Sequence, residues 1–126
     1  ITINVDNGSV LLTGKVNNSE QKVQITKIIW DVRGVKEVIN KIQISDVSNI
    51  KNLARDLASV SEIRAKMITH GKINSLNFSV DVVNDIAYIS GIASSEEEIN
   101  IITNIAKNSR YVKEVFNFIK INTDKR

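Results

Sequence analysis

The sequence predicts an α+β protein: two tandem αββαβ modules, each a three-stranded mixed sheet packed by helices, the first lacking its leading helix. Two observations carry this. Residues 3–44 and 80–121 align at a constant offset of 77 positions without a gap, and about 15 of the 42 pairs are identical, among them Val5/Val82, Asn7/Asn84, Gly14/Gly91, Ile25/Ile102, Ile28/Ile105, Arg33/Arg110 and Asn40/Asn117. Within each copy the apolar residues recur first every second position, then at helical spacing, then every second position again. A repeat of this period is too long for a solenoid coil, and two copies are too few for a propeller.

The first copy opens with Ile3, Val5 and Asn7 alternating against Asn4 and Asp6, the period of a half-buried strand. Asn7-Gly8 is a strong hairpin turn signal, and Val10, Leu12, Gly14 and Val16 alternate on the return strand. Asn17 is placed to cap a helix, with Glu20 three positions on; the second copy has Ser94-Ser95-Glu96-Glu97 there. Ile25, Ile28, Ile29 and Val32 form one apolar helical stripe, repeated by Ile102, Ile105 and Ala106. Gly34 is placed to stop the helix. Val38, Ile42 and Ile44 alternate again as a third strand, which returns to the same sheet by a crossover.

Ahead of the second copy, Ser59-Val60-Ser61-Glu62 reads as a capping box, Val60, Ile63, Met67 and Ile68 as a stripe, and Gly71 as a stop. The complete unit is therefore helix, strand, strand, helix, strand. The first copy's leading helix would fall before Ile1, and Ile50, Leu53, Ala54 and Leu57 in the connector are candidates to cover its place. The expected organisation is a first module at 1–46, a helical connector at 47–57 without Pro or Gly, a second module at 58–122 and a tail at 123–126. Modules of this size lie near the lower limit for a self-sufficient core, so docking of one on the other is favoured.

Hydrophobic residues make up 42% and charged residues 25%, ordinary values for a globular chain. There is no cysteine, which removes disulfides and thiolate metal sites, and no apolar run long enough to span a bilayer. The opening at Ile1 suggests a processed product whose targeting segment lay upstream. The net charge of +3 is concentrated in residues 47–74, where Lys51, Arg55, Arg64, Lys66 and Lys72 face only Asp56 and Glu62. This is a mild attraction for anionic surfaces, or simply a solvated helix face.

Asn7-Gly8-Ser9-Val10-Leu11-Leu12-Thr13-Gly14, an amphipathic helix, then Gly34-Val35-Lys36-Glu37-Val38 together resemble the BON domain. Two such copies look like the dual-BON-domain lipoproteins of the bacterial outer membrane. The resemblance covers nearly the whole chain and implies a non-enzymatic, periplasmic protein, anchored to the outer membrane through an upstream lipid and serving envelope integrity. It further implies that the second module's leading helix, Ala58–His70, faces anionic phospholipid. The residues carried over are Ala58, Glu62, Ile63, Arg64, Lys66, Met67 and Ile68, with Lys72 beyond the helix. The sequence departs at Ala58, where the family helix can begin with a membrane-anchoring Trp, and at Tyr111, where the first copy has Gly34.

The two copies differ most on the outward sheet face. Strand parity puts Glu37, Ile39, Lys41 and Gln43 outward in the first copy, but Val83, Tyr88, Ile92, Phe116 and Phe118 outward in the second. That patch is too apolar for a free solvent face and is expected to be buried, against the first module or its connector, or against lipid or a partner. A strand parity wrong by one residue would flip these assignments. Trp30, off the strict helical stripe, is either a core-edge residue or an anchor for the other module. Gly14 and Gly91, inside strands, are expected to sit where a helix packs closely.

No reactive constellation emerges. His70 has no second histidine or cysteine, so no metal site is expected, and Glu96-Glu97-Glu98 complements a helix N-terminus. There is no phosphate-binding loop, and no cofactor or small-molecule substrate is expected. The leading function is anionic-phospholipid binding. The alternative is a protein-interaction or assembly module that docks on another envelope protein, or on itself, through the second module's apolar sheet face. Nucleic-acid binding is disfavoured by the lack of a GXXG clamp and of an aromatic stripe.

Overall fold

Turn chemistry sets the first sheet. Strand β1 (Thr2–Asp6) returns as β2 (Ser9–Thr13) with Asp6 opposite Ser9, so Asn7 and Gly8 make the whole turn. Both have positive φ, as the type I′ turn requires. The chain bends at Gly14 and continues as β3 (Lys15–Val16) into helix α1 (Ser19–Trp30). Strands β4 (Glu37–Asn40) and β5 (Gln43–Ile44) come back parallel to β2 and β3. Helix α2 (Ile50–Thr69) and a 3₁₀ turn at Ser75–Asn77 lead into the second copy. That copy comprises β6 (Phe78–Val83), β7 (Ile86–Ala93), α3 (Glu96–Lys107) and β8 (Glu114–Ile121). This computed structural model describes residues 1–122; the expected tail at 123–126 lies outside the described residues.

The copies share one topology and one register. The sheet orders are β1-β2-β4 and β6-β7-β8, each with one antiparallel and one parallel pair. Ile3 faces Leu12 as Val80 faces Ile89, and Ser9 faces Glu37 as Ile86 faces Glu114, every pair displaced by the same 77 positions. A side-chain lock recurs as well. Asn40 Nδ2 donates to Thr26 Oγ1 at 2.6 Å while its Oδ1 accepts from Ile42 N at 2.9 Å. Asn117 treats Thr103 and Ile119 the same way, at 3.1 and 2.8 Å. The repeated Asn and Thr thus pin each crossover helix to its last strand. The first copy differs in that its second and third strands are each split in two, where the second copy has unbroken eight-residue strands.

Several local expectations shift. Asn18, not Asn17, caps α1: its side chain accepts from Gln21 N at 3.0 Å, and Gln21, not Glu20, closes the box. Ser95, not Ser94, caps α3 by accepting from Glu98 N. In both cases the cap is the residue whose oxygen reaches the amide three positions on. Helix α1 stops at Trp30, four residues before Gly34. The expected start at Ser59 does not exist. Helix α2 runs unbroken through it, and through the expected 57/58 boundary, because Ser59 is buried in mid-helix and Glu62 turns away to another element. The glycine expectation is also corrected. A Cβ on Gly91 would meet Asn77 O and Phe78 Cα, and one on Gly14 would meet Ile1 Cα, so the close neighbour is the backbone leading into the antiparallel partner strand and not the crossover helix.

The second module's core gathers Ile63 and Met67 of α2, Phe78, Val80 and Val82 of β6, Ala87 and Ile89 of β7, and Ile102 and Ala106 of α3. The first module's core gathers Val10, Leu12, Trp30, Val35, Val38 and Ile42, and it also takes in Ile92 from the second module's sheet. Helix α1 touches β3 and β4 of its own module and β6 and β7 of the other. Serving two sheets rotates its buried row to Val23, Thr26 and Trp30 and leaves Ile28 and Val32 exposed, which corrects the stripe read from the sequence.

Candidate functional site

Two surfaces gather the residues singled out by sequence, and helix α2 organises the first. It stands over the second sheet with Ile63 and Met67 fully buried beneath it, so these two, expected at a lipid surface, are core residues instead. The correction has a simple cause: the stripe that looked free is what docks the helix. Two more expected contacts are occupied. Glu62 accepts from the Ser109 hydroxyl and from Arg110 N at 2.9 Å, and the Ser109 bond is the main reason its carboxyl is held below the usual range. Arg64 Nη1 donates to Ser75 O at 3.2 Å and Phe78 O at 2.8 Å, and burial pulls its guanidinium down from its usual value.

The opposite side of α2 is open. Ala58, Lys66, Ile68 and Lys72 are exposed, and Ile68 is joined by two residues from the connector half of the same helix. Ile50, Leu57 and Ile68 are 68%, 67% and 64% exposed. Their spacings of seven and eleven residues put them on one line of the helix, with the small Ala54, Ser61 and Ala65 between. Of the connector stripe only Leu53 is half-buried, Ile50, Ala54 and Leu57 are exposed, and α2 packs on β6, α3 and the 3₁₀ turn, so the stripe does not close over the first module as a leading helix would. Lys51 lies to one side of the row and Lys72 just past its end, where it pairs with Glu97 at 3.4 Å; Lys66, two positions from Ile68, projects from another side of the helix and pairs with Glu62 at 3.9 Å.

The second surface is the outer face of the β6-β7-β8 sheet, where α1 lies. Val83 and Ile92 are buried there. Trp30 is buried too, and its Nε1 donates to Ser79 Oγ at 2.8 Å, an indole of the first module bonded to a strand of the second. Lys27 Nζ stands 4.0 Å over the Phe118 ring, and Lys120 pairs with Asp31 at 2.6 Å. Tyr88 stacks with Phe116 and Phe118 at centroid distances of 5.7 and 6.5 Å. Phe116, beyond the reach of α1, stays 42% exposed.

Where α1, β4, β6 and α2 converge, an open cleft of about 410 Å³ is lined by Lys22, Thr26, Ile39, Leu57, Leu76 and Asp81 among others. Burial pushes the Asp81 carboxyl up to about 6, against the opposing pull of Lys22 and the Thr26 hydroxyl. At the far end of β6, Asp56 of α2 accepts from both turn amides, Asn84 N at 2.8 Å and Asp85 N at 3.1 Å, while Arg55 grips the Asp85 carboxylate at 2.9 and 3.0 Å. These acids escaped the sequence reading. Asp56 carries no local signal inside a helix, whereas Asp85 stands where the first copy has Gly8, a mismatch the repeat itself marks. Among the described residues no group of three His, Cys, Asp or Glu is placed to hold a metal, and no helix is long and apolar enough to cross a membrane.

Two register-matched strand-strand-helix-strand units, the second preceded by α2 and docked to the first through α1, define a tandem α+β repeat protein. The BON domain model matches residues 1–46 and 51–123, and the chain belongs to the BON domain family. It is 35% identical over 126 residues to a protein from the gshII 5′ region of Anaplasma centrale, covering 99% of this chain and 83% of that one. It is 30% identical over 122 residues to osmotically-inducible protein Y of Escherichia coli, and 28% identical over 114 residues to the outer membrane lipoprotein DolP of Haemophilus influenzae. Those alignments cover 95% and 90% of this chain but only 61% and 58% of the two relatives.

Proposed function

We propose that the protein is a non-enzymatic, envelope-associated module of the periplasm that binds anionic phospholipid through the outward side of α2. The exposed row Ile50, Leu57 and Ile68 carries this reading. A helix that already buries one apolar face has no folding reason to display a second. An exposed aliphatic row with a lysine beside it and another past its end fits a helix lying in a membrane interface. Each of Lys51 and Lys72 near an anionic surface would contribute about 1 kcal/mol, and the aliphatics would supply the insertion. The outer membrane lipoprotein among the relatives supports the envelope setting, and it also supports an upstream lipid anchor to the outer membrane. The expected contacts Ala58, Ile68 and Lys72 stay in the proposed site, whereas Ile63, Met67, Glu62 and Arg64 leave it, and so does Lys66, which pairs with Glu62 on another side of the helix.

Vesicle flotation tests the proposal. Binding to phosphatidylglycerol-containing vesicles but not to phosphatidylcholine alone, lost at high salt and lost in Leu57→Asp and Ile68→Asp, is the expected pattern. Equal binding by these variants, or equal binding to neutral vesicles, would overturn it.

A second reading rests on Phe116, which extends the Tyr88–Phe118 stack into solvent. On that reading the sheet edge docks an envelope protein or a second copy. It predicts a mass that rises with concentration and drops to that of a monomer in Phe116→Asp.

A further inference from the structure

Helix α2 closes the open edge of β6 at both ends and leaves its middle bare. Strand β6 is the last of its sheet, with β7 on one side and, among the described residues, no strand on the other. The two-residue turn after Val83 makes Val83 and Ile86 a hydrogen-bonded pair, so down the ladder Asp81 and Ser79 direct their backbone groups to β7. Phe78, Val80 and Val82 then direct theirs to the open side. Arg64 takes the Phe78 carbonyl, and Asp56 takes the turn amides of Asn84 and Asp85. No side chain among the described residues takes the backbone groups of Val80 and Val82. Both line the cleft of about 410 Å³ although their side chains lie in the core, so what they present to the cleft is backbone.

The cleft has the form and the charge of a groove for a chain. One wall is α2 from Leu53 to Arg64, about 16 Å long, the span of about five extended residues. The other wall is α1 and β4, and the Ser79 hydroxyl closes one end by donating to Val38 O at 3.5 Å. At the other end the cleft runs on into a hollow of about 170 Å³ that shares Ser19, Leu53, Asp56 and Val83 with it. Acids dominate the lining of the two: Glu20, Glu37, Asp46, Asp56 and Asp81 against Lys22 and Arg64. The chain as a whole carries +3, so the sign is reversed locally. None of these five acids is in an ion pair among the described residues.

We propose that this cleft takes an extended, basic segment of a partner polypeptide, added to β6 as a fourth strand of its sheet. The free groups of Val80 and Val82 supply the main-chain bonds. The two faces of β6 set the partner's sequence. Beside Val80 and Val82, under Leu53 and Val60, it carries aliphatic residues; beside Asp81 it carries lysine or arginine. A phospholipid is the poorer occupant, because an acyl chain leaves the edge groups unbonded and a phosphate meets the acids. Ile50 and Ile68 lie outside the cleft and Leu57 touches only its rim, so this inference and lipid binding are separable.

The test uses the isotope-labelled full chain and the peptide acetyl-Lys-Val-Lys-Val-Lys-Val-amide, read by amide chemical shifts. Saturable shifts along residues 80–83 and the facing residues 53–60 are expected. Two further peptides are N-methylated, one at the valines and one at the lysines. Only alternate residues of an added strand turn their amides to its neighbour, so one of these is expected to bind and the other to fail. A peptide with glutamate for lysine is expected to fail, and Asp81→Asn to weaken the parent peptide about tenfold. The proposal is overturned if the parent peptide gives no saturable shifts at millimolar concentration, or shifts elsewhere. It is also overturned if both methylated peptides bind alike, if the glutamate peptide binds as well, or if Asp81→Asn leaves the affinity unchanged. Phosphatidylglycerol vesicles that perturb residues 80–83 where the peptide does not would make lipid the occupant and overturn it too.

Discussion

Replacing Gly91 with alanine probes the tightest of the five glycine sites. A Cβ there would stand 2.2 Å from Asn77 O and 2.8 Å from Phe78 Cα. Neither atom belongs to a rotatable side chain, and Phe78 is itself buried and paired with Gly91 across the ladder. The backbone at Gly91, with φ +142°, also lies in a region that disfavours an L residue by about 1–3 kcal/mol. Forcing backbone apart in a packed core adds about 1–3 kcal/mol. The sum, about 4 kcal/mol, corresponds to a fall in Tm of roughly 10–20 °C for a chain of this length. Two other glycines serve as controls. Gly34 has φ +91° but nothing within 4 Å of its Cβ position, so Gly34→Ala bears the strain alone, about 1–2 kcal/mol. Gly71 has neither burden, and Gly71→Ala should be neutral or stabilise by about 0.5 kcal/mol. Urea unfolding followed by the fluorescence of the single tryptophan and by far-UV circular dichroism gives all three values. Gly91→Ala within 1 kcal/mol of Gly34→Ala would refute the steric reasoning.

The Asp81 carboxyl, raised to about 6 from an ordinary 3.8, binds more protons folded than unfolded in that interval. This group's contribution to stability is therefore lost as pH rises from about 4 to 6. Asp81→Asn should flatten that slope and stabilise the chain at pH 7 by up to about 3 kcal/mol before solvent screening, and by nearer 1–2 kcal/mol after it; a slope unchanged in urea titrations across pH 4–7 would contradict this. Trp30→Phe and Ser79→Ala each break the indole bond between the modules. Their double-mutant cycle should show a coupling of about 1 kcal/mol, and strict additivity would show that the bond contributes nothing.

The repeat made the architecture legible. Offset, strand order and hairpin turns all follow from residues such as Asn7, Gly14 and Val35–Val38, whose signals are local or duplicated. The boundary of α2 was not legible, because Ser59 and Glu62 imitate a helix start while the one partner that matters lies outside the helix: Glu62 reaches Ser109, 47 positions away. The lipid-facing assignment of Ile63 and Met67 was overturned by a similar gap. Periodicity reports that Ile63 and Met67 share a face, but not which sheet lies under it. The stripe of α1 was misjudged because a single sequence cannot disclose that a helix serves two sheets. Trp30, off the stripe, was the one residue that carried the clue.

Since Ile92 completes the neighbouring core and α1 is wedged between both sheets, the halves no longer own separate interiors. A gene duplication that began as two interchangeable copies has become an irreversible partnership. Cutting the chain at residue 46 would leave the downstream half with bare aromatic rings and the upstream half with a hole where a foreign isoleucine belongs.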